Sequence, residues 1–167
     1  MSVLCGVCGT SRARLQLMPH QSHLAQAYIA HMRMPLDHPA MEVFVARIDT
    51  LNALAEAAPG FVWRWEAEED EVSPVALFSG ERVLFNLTVW ESIESLESYV
   101  YKSQHVKAVQ KRAEWFERPK KSPLVLWWVP AGHFPTEEEA AQRFELLWQN
   151  GPTAAAFTFR TRFEPDS

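Results

Sequence analysis

The chain has little of what usually announces a mechanism. Only two of its 167 residues are cysteine, too few for a disulfide scaffold. No apolar run is long enough to span a bilayer, and the first residues lack the basic-then-apolar order of a signal peptide. The expectation is therefore a cytoplasmic protein with no membrane partner. Positive charge is in deficit: 16 Lys and Arg stand against 21 Asp and Glu, for a net charge of −5. Phosphate backbones need concentrated positive charge, so no nucleic-acid partner is expected. The one dense basic run, Lys107 to Lys121, is interrupted by Glu114 and Glu117 and reads as a solvated helix face. Also missing are a Gly-rich phosphate loop, a nucleophile elbow, an HExxH pair and an acidic metal cluster. The expectation is no metal and no cofactor. Any reaction would be cofactor-independent or would borrow its chemistry from the ligand.

What is present is apolar and ring-rich. Hydrophobic residues make up 47% of the chain and aromatics 12%, seven of them Trp. That suits one domain with a sizeable core, and it points to a ring-lined interior or an aromatic interface between copies.

Residues 1–23 look unlike the rest and are expected to form a leader outside a single domain at 24–167. Cys5, Cys8, His20 and His23 have the donor types of a tetrahedral zinc site. The histidine spacing is short for a finger and the strand–helix pattern is missing, so a leader without metal is the preferred reading.

From Leu24 to Ala30 apolar and polar residues alternate, as in a half-buried strand. Asp37-His38-Pro39 reads as a helix start with Asp37 as cap, followed by Met41, Phe44, Val45, Ile48, Leu51 and Ala55 at helical spacing. Pro59-Gly60 stops that helix. Phe61 to Trp65 reads as a strand with Phe61, Trp63 and Trp65 on one side, and 72–78 as a further short strand. Val83 to Trp90 is the clearest strand; Asn86, Thr88 and Trp90 share a face. Ser92 caps a helix with Ile93, Leu96 and Val100 facing in. Ser103 recaps a second segment with Val106, Val109, Ala113 and Phe116 inward. Leu124 to Val129 is a buried strand, with Trp127 and Trp128 on opposite faces. Thr136 and Glu139 form a capping box opening a helix to about Asn150, its stripe being Ala140, Phe144, Leu147 and Trp148.

The predicted order contains a β-α-β-β-α-β core, the α+β ferredoxin-like plan, with an added C-terminal helix. Such a sheet leaves one apolar face open. Pairing two sheets as a dimeric α/β barrel would cover it, so a homodimer is expected.

The stretches Pro59 to Arg64, Asn86 to Ser92, Leu126 to His133 and Gly151-Pro152-Thr153 resemble a bacterial family of domains of unknown function in the dimeric α/β-barrel superfamily. Ser103-Gln104-His105-Val106-Lys107-Ala108 is similar to the Ser-Pro-His-x-Lys-Ala helix start of antibiotic-biosynthesis-type monooxygenases in that superfamily. The resemblance implies a pocket between sheet and helices, as in cofactor-free oxygenases of polycyclic aromatics and in haem-degrading enzymes. The haem-degrading subgroup's essential tryptophan and ligating histidine fall at Tyr99 and Val109 here. Valine cannot ligate iron, so haem degradation is disfavoured.

His105 is the candidate catalytic residue, a base or substrate-orienting group at a helix start; the alternative is a surface histidine bonded locally. Arg64, between two tryptophans, would clamp a carboxylate or phenolate, or else pair with an acid. Asn86 and Trp90 share the pocket face or a dimer surface. Tyr99, Trp128 and His133 complete the ligand-binding candidates, His133 with a turn-capping alternative. Two functions stay open: a monooxygenase-like enzyme, oxygenase or isomerase, of an apolar aromatic small molecule, and a non-catalytic dimer that binds such a molecule or serves a structural role.

Overall fold

The computed structural model describes residues 21–67, 73, 75–102 and 112–165. His105, Val109, Cys5, Cys8 and His20 lie outside the described residues. Strand β1 spans Ser22–His31, helix α1 Glu42–Glu56, β2 Phe61–Arg64 and β3 Val83–Trp90. Helix α2 spans Ile93–Lys102, β4 Leu124–Pro130 and α3 Glu137–Asn150. The strands form one antiparallel sheet in the order β2-β3-β1-β4, which is the ferredoxin-like arrangement. β1 begins before Leu24: His23 already pairs with Val129, so the strand starts inside the segment expected to be a leader. Among the described residues, no helix is long and apolar enough to cross a membrane.

Alternation along the strands gives the sheet two distinct faces. On one, Ala25, Ala27, Ile29, Leu87, Val89, Val125, Trp127 and Val129 pack under Ala140, Phe144 and Leu147 of α3. On the other, Leu24, Trp90 and Leu126 meet Ala55 of α1 and Ile93 and Leu96 of α2. Farther along that second face, Ala30 packs with Met41, Phe44, Trp115 and Phe116. The face expected to lie open is therefore covered by the chain's own α3. A second copy is not needed to bury it.

Local chemistry explains most boundaries. Ser92 accepts from the Ser95 amide at 3.1 Å and caps α2, as its sequence implies. Gly60 ends the α1–β2 turn with φ at +81°, and a Cβ there would collide with the Ser95 side chain, so only glycine fits. At the start of α1, His38 rather than Asp37 is the cap: its Nδ1 accepts from the Ala40 amide at 3.1 Å, opening a 3-10 turn over Pro39–Met41. Val45 of the expected stripe is exposed, and Phe44 and Ala55 carry the helix's buried contacts with the core.

Three expectations fail for reasons of register and turn. A bulge between Phe61 and Trp63 turns β2 over within itself. Phe61 stays on the α1/α2 face, edge-on to Trp90 at 5.3 Å, while Trp63 and Trp65 join the α3 face. The expected strand at 72–78 is a turn over 75–78 in its described part; it drives Phe78 into the core, stacked on Phe85 at 3.9 Å. In the helical residues 112–115, Ala113 is exposed, and Trp115 and Phe116 turn inward.

The edges are managed differently. β2 is only four residues long. β4 is bridged by the C-terminal tail, where Leu126 and Phe157 exchange two backbone hydrogen bonds of 2.8 Å.

Candidate functional site

The α1/α2 face is not uniformly apolar. Across its middle, Arg64 pairs in register with Thr88, Thr88 with Gln26, and Tyr28 with Asn86. These residues fall together because they occupy alternate positions on adjacent strands, which a period of two places on one side.

One half of this belt is closed on itself. Trp90 Nε1 donates to Thr88 Oγ1 at 2.9 Å, and Thr88 donates onward to Gln26 Oε1 at 2.8 Å. All three are buried: Trp90 is 1%, Thr88 4% and Gln26 7% exposed. The Tyr99 ring stacks on Trp90 at 5.3 Å and 27°, and its hydroxyl donates to the Leu51 carbonyl at 3.0 Å. Burial pushes the Tyr99 hydroxyl up to about 12. Trp90 and Tyr99 thus form a rigid, neutral aromatic wall.

The other half is open. The side-chain amide nitrogen of Gln26 donates to no group among the described residues, and neither does any part of the half-buried Asn86 side chain. Tyr28 lies beside Asn86; burial pushes its hydroxyl up, and the positive charge of Arg112 pulls the other way. The Arg112 guanidinium carbon is 5.8 Å from the Tyr28 ring centre. This half presents two amides and the Tyr28 hydroxyl, which Arg112 already engages, with no carboxylate among them.

Arg64 does not act as the expected clamp. Its Nε lies 2.6 Å from Glu56 and its Nη2 2.7 Å from Glu66, so helix α1 and the loop after β2 already hold the guanidinium. The ion-pair alternative describes it. His133 is also elsewhere. It sits before α3, with Nε2 2.7 Å from Glu139 Oε2, while Trp127 Nε1 donates to the other Glu139 oxygen at 3.0 Å. Glu139 therefore serves Trp127 and His133. The backward arm of the expected capping box is absent, although Thr136 still accepts from the Glu139 amide at 3.3 Å. Trp128 is on the α1/α2 face, but its indole is tied to the Phe163 carbonyl at 2.6 Å, under the C-terminal tail. Of the candidates, the structure brings together Asn86, Trp90 and Tyr99. It adds Gln26 and Tyr28, which the sequence reading used only as strand residues. Two polar side chains two apart in an otherwise alanine-rich strand were the available signal.

Residues 23–167 match the family model described as a domain of unknown function, DUF3291. The chain belongs to that family. No curated protein matches this DUF3291 chain. Among solved structures, it is similar to a protein of unknown function, NE2512, from Nitrosomonas europaea, at 13% identity and a TM-score of 0.44, covering 70% of this chain and 98% of that one. It is also similar to SnoaB, a cofactor-independent oxygenase from Streptomyces nogalater, at 13% identity and 0.42, covering 70% and 99%. A third is PA3566 from Pseudomonas aeruginosa, at 9% identity and 0.45, covering 68% and 98%.

Proposed function

We propose that this DUF3291 chain binds an apolar aromatic compound bearing a hydroxyl or carbonyl group on the α1/α2 face of its sheet, and oxidises it without a cofactor. The observation that supports the reading is the pair of unengaged amides, Asn86 and Gln26, on a face otherwise enclosed by helices. A guest's oxygen can take the place of water at these amides, the few polar groups that orient a ligand in a mostly apolar site. Tyr99, backed by the buried Trp90, offers the guest an aromatic surface, and the amides orient its oxygen.

In this reading His105 takes the proton that leaves the substrate. The electron-rich anion then reacts with dioxygen. A methylene converted to a carbonyl, with the second oxygen atom leaving as water, is balanced without an external reductant, because the substrate supplies all four electrons. A second reading is binding without turnover. It is favoured by the titratable groups described on this face: Tyr28 and Tyr99 are both held toward their neutral forms, and Arg64 is committed to carboxylates, so none of them is a base.

The test uses a tricyclic hydroxylated anthrone as probe, with quenching of tryptophan fluorescence for binding and an oxygen electrode for turnover. Asn86→Ala should weaken binding about tenfold, the loss of one well-placed hydrogen bond. His105→Ala should abolish oxygen uptake while binding persists. Binding without uptake in the unaltered protein selects the second reading, and absence of binding sinks both.

A further inference from the structure

A second feature borders the belt at Tyr28, on whose ring Arg112 packs. A cleft of about 390 Å³ opens where the end of β1 meets residues 117–123. Among the described residues four cations line it, Arg112, Arg118, Lys120 and Lys121, with Glu117 as the one acid. In a chain of net charge −5 this is a local inversion of sign. The acid does little to cancel it, because Glu117 pairs with Arg82 at 3.4 Å. Arg118 and Lys120 have no ion-pair partner among the described residues. The apolar walls are Ile29, Leu77, Pro123 and Trp148.

Sequence alone suggests a solvated helix face for this basic run. Residues 117–123 instead form an irregular segment, pinned at several points. The Glu117 amide donates to the His31 carbonyl at 2.8 Å, and the Ile29 amide to the Pro123 carbonyl at 2.9 Å. Trp148 Nε1 donates to the Ser122 carbonyl at 3.0 Å, and Lys121 Nζ lies 4.7 Å above the Trp148 ring. Pro119 and Pro123 stiffen the segment further. Its cations are held on a scaffold rather than on free ends.

Arg112 separates this cleft from an ordinary basic surface. Its Nε and Nη2 are both buried and have no hydrogen-bond partner among the described residues, while the guanidinium also reaches the Tyr28 hydroxyl. A guanidinium taken out of water without an acceptor is unfavourable, and an oxyanion is the group whose two oxygens match its fork. We propose that the cleft is a binding site for a small organic oxyanion, a carboxylate or phosphate ester carried on a flat apolar body. Arg112 holds the oxygens, Arg118 and Lys120 add long-range attraction, and Trp148 receives the body. The volume is near the lower end for ligand pockets, which suits one or two rings.

Calorimetric titration of the full chain at low salt tests this with four probes: benzoate, phenyl phosphate, inorganic phosphate and, as a neutral control, benzyl alcohol. The two aromatic anions should bind more tightly than benzyl alcohol, and their affinity should fall as sodium chloride rises. The stronger of benzoate and phenyl phosphate identifies the headgroup. Inorganic phosphate binding as tightly as phenyl phosphate would remove the apolar body from the proposal and so overturn it. The double variant Arg118→Glu, Lys120→Glu alters exposed side chains only and should weaken binding at least tenfold, while Arg112→Gln should abolish it. Asn86→Ala should leave it unchanged, which keeps this site separate from the aromatic one. No anion binding at millimolar concentration, equal binding of benzoate and benzyl alcohol, or unaltered binding by the double variant would each overturn the proposal.

Discussion

The two faces of the sheet are built from the same four strands and differ in kind. From Ala25 to Ile29 of β1 and along β3 the α3 face is apolar, with His23 and His31 at the two ends of β1, and Ala140, Phe144 and Leu147 cover it. The α1/α2 face is apolar at both ends and polar across its middle, at Gln26, Tyr28, Asn86 and Thr88. A face that exists only to be buried has no use for amides, since each buried polar group must find a partner or lower stability. The α3 face thus shows what these strands do when packing alone decides. The other face departs from that pattern at the residues assigned here to ligand binding.

The strongest way to break the comparison is to damage the α3 face. Phe144→Ala removes a fully buried ring that contacts Phe78 and Trp148. It should cost about 3–5 kcal/mol and lower Tm by about 10 °C, read by thermal denaturation. A loss below about 1 kcal/mol would mean that α3 does not dock on this face, and that a second copy could. Next in size is Thr88→Val, which keeps the shape but leaves the Trp90 indole donor and the Gln26 acceptor unpaired inside the fold. The expected cost is about 1–3 kcal/mol. Thr88→Ser, which keeps the hydroxyl, should lose less, and equal losses would show that the hydrogen-bond chain contributes nothing.

The two faces were not equally visible in the amino-acid sequence. Strands β1, β3 and β4, the Ser92 cap and the inward stripe of α3 are set by neighbours within a few residues, so alternation and caps reveal them. The shared face of Asn86, Thr88 and Trp90 follows from the same rule. Which helix would cover that face does not, because it depends on how the whole chain wraps. The flip of Phe61 against Trp63 was hidden for a similar reason: a bulge is a property of a strand and its partner together. Arg64 and His133 looked available because their partners, Glu56 and Glu66 for one and Glu139 for the other, are assigned only by tertiary geometry. The cleft is the extreme case. Its walls come from 29–31, Arg112, 117–123 and Trp148, and no local pattern joins segments so far apart.

The smallest expected effect sharpens the comparison through pH. Tyr99 is the aromatic boundary of the polar belt, and burial holds its hydroxyl near 12 against an ordinary value near 10. The folded chain therefore prefers the neutral ring more than the unfolded chain does. That preference costs nothing below pH 10, where both states keep the proton, and destabilises the fold as pH rises from 10 toward 12. Tyr28, also raised, acts in the same direction. Tyr99→Phe keeps the stack on Trp90 and removes the hydrogen bond to Leu51, so it should lose about 1 kcal/mol at neutral pH. Between pH 10 and 12 it should lose stability less steeply than the unaltered chain, measured by urea denaturation at each pH. The double variant Tyr28→Phe, Tyr99→Phe should flatten the curve further. Parallel curves for all three proteins would mean that water reaches these hydroxyls freely, and the belt would then be an exposed polar surface rather than an enclosed site.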